Sequence, residues 1–122
     1  MPQERLSSYR DLRVWQMAKS LAVSVYRATE GCPARERYGL ASQMRSAAVS
    51  VPANIAEGYG RNNRREYTQF LGIANGSLKE LETHLLIAEE LQMIPDAGDL
   101  LRECESVGRQ MTALRQSLRM AE

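Results

Sequence analysis

The sequence has few aromatic residues, cysteines and histidines and little net charge. Each shortage limits the classes of protein to which the chain can belong. Its 122 residues include one Phe, one Trp, two Cys and one His, and the formal net charge is +1. A core with so few large rings must be filled mainly by aliphatic side chains and Met, which is typical of helical bundles. The overall charge by itself indicates no particular partner.

The two cysteines, Cys32 and Cys104, are far apart and form no Cys-x-x-Cys or Cys/His cluster. This usage fits a reducing cytoplasm better than a disulfide framework. The first ten residues lack the apolar core of a signal peptide. No apolar run approaches the ~18 residues of a membrane span. We therefore expect a cytoplasmic protein that does not enter a membrane.

The charges are unevenly distributed along the chain. Residues 1–65 contain 11 Arg/Lys and 5 Asp/Glu, whereas residues 66–122 contain 5 Arg/Lys and 10 Asp/Glu. Such asymmetry can indicate an acidic or nucleic-acid partner. It is equally consistent with self-assembly or with neutralisation between helices of one chain.

Three short breaks rich in Gly and Pro divide the chain into four helical segments. The breaks fall at residues 31–33, 58–62 and 93–96, and Gly and Pro of this kind end helices. The pattern predicts helices over residues 9–30, 34–57, 64–92 and 96–119 within a single domain, 1–122. Capping side chains are predicted at three starts: Ser8 with Asp11, Asn63 with Glu66, and Asp96.

Each segment carries an apolar stripe with alternating steps of three and four, the spacing of one helix face. Short connections favour an all-α, antiparallel, up-down-up-down four-helix bundle. Pro52 interrupts the second segment while its stripe stays in phase, so we expect one helix with a kink near Ala48–Pro52. The predicted inward residues are Trp15, Ala18, Ala22, Val25, Thr29, Leu40, Met44, Ala47, Val51, Ile55, Tyr67, Leu71, Ala74, Leu78, Leu81, Leu85, Ala88, Leu100, Cys104, Val107, Met111, Leu114 and Leu118.

The first and third segments have more apolar residues than one inward stripe needs. Such a surplus either widens the internal stripe or is covered by another copy of the chain, and self-association is the common solution. We therefore expect a homo-oligomer. The surplus residues are Val14, Met17, Leu21, Phe70, Ile73, Leu86 and Ile87.

Residues able to perform chemistry are scarce. His84 has Glu80 four residues before it but no Glu-x-x-His motif, so we expect a surface or interface histidine and no metal. The Gly58–Arg61 turn matches no phosphate-loop pattern, and its glycines are explained by a tight turn with positive φ. We expect no catalytic residues, no cofactor and no enzyme.

One cluster of cations rises above this background. Arg61, Arg64 and Arg65 surround the second break, and Arg45 lies on the preceding helix. Arginine suits forked contacts with phosphate or carboxylate. Cations at a helix start oppose its dipole. A nucleic-acid phosphate would relieve this conflict, as would Glu57 or Glu66 within the chain.

Several segments occur in an order typical of one family, and the most specific is Pro52-Ala53-Asn54-Ile55-Ala56-Glu57-Gly58-Tyr59-Gly60-Arg61. Through these segments the chain resembles the four-helix bundle proteins encoded in intervening sequences of bacterial 23S rRNA genes. It is similar in fold to the accessory proteins of diversity-generating retroelements. The other matching segments are 11–15, 36–40, 43–45, 47–51, 66–67 and 76–83.

This resemblance implies a non-enzymatic bundle assembled into a ring, a homopentamer. Two functions remain open. One is a scaffold that binds itself or another protein, and the other is a factor associated with RNA or a reverse transcriptase through Arg61, Arg64 and Arg65. Within the motif, Asn54 and Glu57 either satisfy polar groups freed by Pro52 and the turn or face a partner.

Overall fold

The structure is a computed structural model that describes residues 7–36 and 39–120. Within these residues the chain is all-α, as predicted, with four long helices and no strand. They are α1 (Arg13–Ala28), α2 (Leu40–Tyr59), α3 (Arg64–Glu90) and α4 (Gly98–Met120). Short 3-10 turns occupy Tyr9–Asp11 and Ala34–Glu36. None of the described helices is both long and apolar enough to cross a bilayer.

The four helices pack in a closed cycle. Each helix packs against its two neighbours, whereas the described backbones of α1 and α3, and those of α2 and α4, stay apart across the bundle. All four helices contribute to one apolar cluster. The predicted inward positions are confirmed: Trp15, Leu40, Tyr67, Leu114 and Leu118 are partly buried against this cluster, and the others are buried.

The predicted boundaries differ from the observed ones where local hydrogen bonds intervene. Ser8 and Asp11 form the predicted capping box, but it caps the 3-10 turn, and α1 begins after it at Arg13. The predicted second helix begins as a 3-10 turn at Ala34, and α2 itself starts at Leu40; residues 37 and 38 lie outside the described residues.

The end of α3 falls at Glu90, two residues before the predicted end. Gln92 adopts a φ of 61°, in the left-handed region. Its N–H donates to the carbonyl of Glu89 (3.0 Å), and the Met93 N–H donates to that of Ala88 (2.9 Å). These two bonds are the Schellman pattern that closes a helix. Asp96 accepts from the Gly98 N–H at 2.8 Å, and α4 begins at Gly98, two residues after the predicted start.

A glycine sets the closest approach of α2 and α3. Gly58 is buried in the last turn of α2, and a Cβ there would lie 2.8 Å from the Cβ of Phe70 and 3.1 Å from Cδ1 of Tyr67. No described glycine has positive φ, so the expected positive-φ turn is wrong. The glycine is needed because two helix backbones meet, while Gly60 caps α2 in a right-handed conformation.

We predict that Gly58→Ala and Gly76→Ala change stability in opposite directions. The methyl group at position 58 overlaps Phe70, so the free energy of unfolding should fall by about 1–3 kcal/mol. A Cβ at Gly76 meets no described atom within 4 Å, and Ala in a helix interior should raise stability by roughly 0.5–1 kcal/mol. Urea unfolding followed by circular dichroism measures both. Equal free energies of unfolding for Gly58→Ala and the wild type would contradict this prediction, because they would show that α2 and α3 can move apart at position 58 without losing stability.

Candidate functional site

The turn between α2 and α3 is short and closed by backbone hydrogen bonds. The N–H of Gly60 donates to the carbonyl of Ala56 at 3.2 Å, and that of Arg61 donates to the carbonyl of Gly58 at 3.0 Å. Asn63 caps α3 by accepting from the Glu66 N–H at 2.8 Å. Only the Asn63 half of the predicted capping pair forms in the described structure. The turn therefore exposes a few residues in a fixed position.

Aromatic side chains support this turn from the helices on either side. The rings of Tyr59 and Tyr67 meet edge to face, with centroids 6.1 Å apart. Burial, together with the nearby Tyr59, raises the pKa of Tyr67 to about 12. Tyr67 is therefore a neutral packing group at physiological pH, and it offers no base for catalysis.

Arg61 is held by contacts within the protein. Its Nη2 lies 3.0 Å from Oε2 of Glu57, and its guanidinium stands 4.7 Å from the ring centroid of Phe70. Both charged side chains are substantially exposed, so this pair adds little to stability. Its effect is to fix the direction of Arg61. Glu57 thus supplies the internal counter-charge that the sequence left as one of two possibilities.

Arg64 and Arg65 lack such a counter-charge. Both are exposed in the first turn of α3, and neither forms an ion pair with any described residue. Together with Arg61, Asn62 and Asn63 they line an open cleft. Guanidinium groups next to the N–H groups of a helix start can bind phosphate or carboxylate oxygens.

Arg45 does not belong to this cluster. It lies sixteen residues before Arg61, which corresponds to roughly 24 Å of helix length. Its Nε donates to Oγ1 of Thr29 at 2.7 Å, its Nη2 donates to the carbonyl of Tyr26 at 3.2 Å, and its guanidinium covers the Tyr26 ring. A cation at the C-terminal end of a helix interacts favourably with its dipole. Arg45 therefore ties α2 to the end of α1.

The rest of the family motif forms a polar contact between α2 and α3. Pro52 is buried inside α2, which continues through it as one helix. Nδ2 of Asn54 donates to the carbonyl (2.8 Å) and hydroxyl (2.9 Å) of Ser50, whose hydroxyl meets that of Ser77 at 2.8 Å. The carbonyl that Pro52 leaves without its helical donor belongs to Ala48, so Asn54 does not replace that bond. Its contacts are nevertheless internal.

The surplus apolar residues divide into two groups. Val14 and Leu21 are 4% and 0% exposed and belong to the core of a single chain, so their assignment to an oligomer interface is wrong. Met17 packs partly buried on that core, and Phe70 lies half-buried beneath Arg61. The other three are exposed on α3: Ile73 at 53%, Leu86 at 52% and Ile87 at 43%. Leu91, which the sequence reasoning missed just beyond α3, is 63% exposed.

His84 is buried, contrary to the expected surface or interface position. Its Nε2 lies 3.8 Å from Oε2 of Glu80, beyond normal hydrogen-bond distance, and its buried Nδ1 has no hydrogen-bond partner among the described residues. No group of three or more His, Cys, Asp or Glu residues could hold a metal ion within the described ranges. His84 therefore has neither the orienting partner of a catalytic base nor companion ligands in this part of the chain.

The two thiols differ in environment. Cys104 lies in the core, where burial raises the pKa of its thiol to about 12. Cys32 is half-buried in the turn after α1, with its Sγ 3.7 Å from the carbonyl of Met93. A nucleophilic cysteine needs an accessible thiolate. Cys104 is excluded from that role by its high pKa and burial.

The comparison with known families agrees with the motif and the helical fold. The model of the 23S rRNA-intervening sequence proteins matches residues 10–113, most of the chain. The chain belongs to the 23S rRNA-intervening sequence protein family. No curated protein matches it significantly, so residue roles in this family member are argued from geometry. The family description specifies no chemistry.

We predict that Arg45→Met destabilises the fold. The change removes two hydrogen bonds and a cation from the end of α1, so the free energy of unfolding should fall by about 1–2 kcal/mol. Urea unfolding measures the loss. Arg35→Met is the control, because Arg35 is exposed in the turn before α2 and forms no ion pair with a described residue. Equal unfolding midpoints for the two variants would contradict the role of Arg45.

We also predict that the native protein has one reactive thiol. At pH 8 a disulfide reagent should modify Cys32 quickly and Cys104 only after unfolding, and Cys32→Ser should remove the fast phase. Because the pKa of Cys104 rises from an ordinary 9.0 to about 12 in the fold, its contribution to stability is complete below pH 9 and is lost as the pH rises toward 12. Rapid modification of Cys104 in native Cys32→Ser would show that the core opens readily.

Proposed function

We propose that this protein is a non-enzymatic scaffold that acts as a homo-oligomer, with the homopentamer implied by the family resemblance as its assembly. The observation that carries the proposal is the exposed apolar side of α3. Ile73 and Ile87 are 14 residues apart, two seven-residue steps, and so lie on one line along the helix. Gly76 and Glu80 lie between them, and Gly76 leaves open space that a neighbouring helix could enter. A second copy of the chain would cover these residues.

A ring requires each copy to use two different surfaces, because a cyclic assembly above a dimer is built from heterologous contacts. The exposed side of α3 supplies one apolar surface. The exposed apolar residues of α1 and α2, Val23 and Val49, offer candidates for the other. Both lie on helices other than α3, as a head-to-tail contact demands.

We further propose an up-down-up-down arrangement in which α2 bends near Pro52. Contacts between side chains support the antiparallel order: Ser50 meets Ser77 while Gly58 meets Phe70, and Gly108 approaches Leu78 while Gly72 approaches Arg115. The bend follows from the hydrogen bond that Pro52 removes and from its steric clash with the preceding turn. The free thiols of Cys32 and Cys104 support a cytoplasmic location.

A second candidate function is association with RNA or a reverse transcriptase. It is favoured by Arg64 and Arg65, two exposed cations that form no ion pair with a described residue at a helix start. Their positive charges interact unfavourably with the helix dipole at the start of α3. They therefore reduce the stability of the fold unless an anion binds. Phosphate groups of a nucleic acid would supply that anion.

We predict that the wild type is an oligomer and that Ile73→Glu/Ile87→Glu dissociates it. Two carboxylates in a buried interface would be desolvated without partners, which costs several kcal/mol. Light scattering after size exclusion should change from a multiple of 13.7 kDa to 13.7 kDa, while circular dichroism stays helical.

Gln110→Glu/Ser117→Glu is a matched control for this prediction. It places the same two charges at exposed polar positions of α4, outside both proposed surfaces. Retained assembly in the control would assign the contact to the Ile73/Ile87 line, and loss of assembly in both variants would contradict that assignment. A wild-type mass of one chain at micromolar concentration would contradict the scaffold proposal.

A further inference from the structure

The C-terminal half of α4 brings two more arginines to the start of α3. Nη2 of Arg115 lies 3.5 Å from where a Cβ on Gly72 would be, so this guanidinium lies against the third turn of α3, about 12 Å along the helix from Arg64. Arg119 follows one helical turn later and is exposed. Arg64 and Arg65 begin the same helix that Arg115 covers. Neighbouring packed helices lie about 8–10 Å apart, so these four cations share one end of the α3–α4 surface.

Few acidic residues lie at this end: Glu66 is in the first turn of α3, and Glu57 is paired with Arg61. The acidic residues of α4 are Asp99, Glu103 and Glu105, all in its first eight residues. None of Arg64, Arg65, Arg115 and Arg119 forms an ion pair with a described residue. Lys79 and Arg102, farther along the same two helices, do pair with carboxylates, those of Glu82 and Asp99. The electrostatic potential of the α3–α4 surface should therefore become positive toward its Arg64 end.

Folding stability accounts for only one of these four arginines. Arg119 in the last turn of α4 complements the dipole of its helix. Arg64 and Arg65 oppose the dipole of α3. The buried Nε of Arg115 has no hydrogen-bond acceptor among the described residues, and such a group costs about 1–3 kcal/mol. Arg64 and Arg65 thus lower the stability of the fold, and Arg115 leaves a buried donor unpaired among the described residues, which is typical of residues at binding sites.

We propose that Arg64, Arg65, Arg115 and Arg119 form one band that binds the phosphate backbone of RNA. This inference rests on the second candidate function and extends it from the α2–α3 turn to the end of α4. Guanidinium forks match phosphate oxygens, and the band offers four of them with no described carboxylate paired to them. Binding is independent of base sequence, because backbone contacts carry no sequence information. Gly72 contributes by leaving room for the Arg115 side chain.

The test is fluorescence anisotropy of a fluorescein-labelled RNA stem-loop at several salt concentrations. Each lost phosphate contact should reduce the slope of log K against log salt by about 0.7–0.9. Arg115→Gln/Arg119→Gln should therefore reduce it by about 1.4–1.8 and weaken binding of two unrelated stem-loops equally. Arg27→Gln/Arg35→Gln is the matched control, since it removes two exposed cations that lie outside the band and form no ion pair with a described residue. Its slope should equal that of the wild type.

Further variants keep the outcomes distinct. Arg115→Lys keeps the positive charge but removes the guanidinium that lies against α3, so its slope of log K against log salt should stay close to that of the wild type. Helical circular dichroism verifies the fold of every variant. An unchanged slope in Arg115→Gln/Arg119→Gln, with binding lost in Arg64→Gln/Arg65→Gln, would overturn the band and leave the RNA function standing. A wild type that does not bind the stem-loop at low salt would overturn both. Equal competition by polyglutamate would show that the band binds acidic polypeptide, which also overturns the RNA proposal.

Discussion

The close contact of α2 with α3 at Gly58 is the constraint on which the exposed turn depends. With no side chain at that position, the last turn of α2 lies directly against Phe70 and Tyr67. The two helices are then so near that residues 60–63 suffice to join them. Phe70 also carries the guanidinium of Arg61 on its ring, and Asn63 starts α3 at once. A larger residue at position 58 would move the cap and the cation together, because both are positioned by the same few residues of α3.

A second contact between these helices makes the first one specific. The hydroxyls of Ser50 on α2 and Ser77 on α3 form a hydrogen bond, and Asn54 holds Ser50 in place through two further hydrogen bonds. Partly buried polar groups that satisfy one another penalise a shifted packing, because a shift separates the paired atoms. Pro52 lies between Ser50 and Asn54 and weakens the backbone ladder of α2 locally. The polar contact therefore fixes the register of the two helices beside Pro52.

The sequence predicted the fold through periodicity, because a helix that buries one face must repeat apolar residues at that spacing. Periodicity contains no information about how wide the buried face is. For this reason the sequence predicts Val14 and Leu21 at an oligomer interface, although both are buried in the core of a single chain. The same ambiguity affected His84, whose position on α3 lies beside buried Leu81 and Leu85. The predicted end of α3 is wrong for another reason. Gln92 adopts a left-handed backbone conformation that ends the helix, and a glutamine at that position gives no signal of a helix end in the sequence.

Arginines that look equivalent in sequence have different tasks in the structure. Arg45 donates a hydrogen bond to Thr29 at the end of α1, and Arg61 is held between Glu57 and Phe70. Both therefore have contacts within the protein that account for their positions. Arg64 lacks such a contact with any described residue, and it faces an unfavourable dipole. Proteins tend to break such stability rules at functional sites. The arginines to associate with binding are consequently those the fold would be more stable without, a distinction that needs the positions of the helices and not only their sequence.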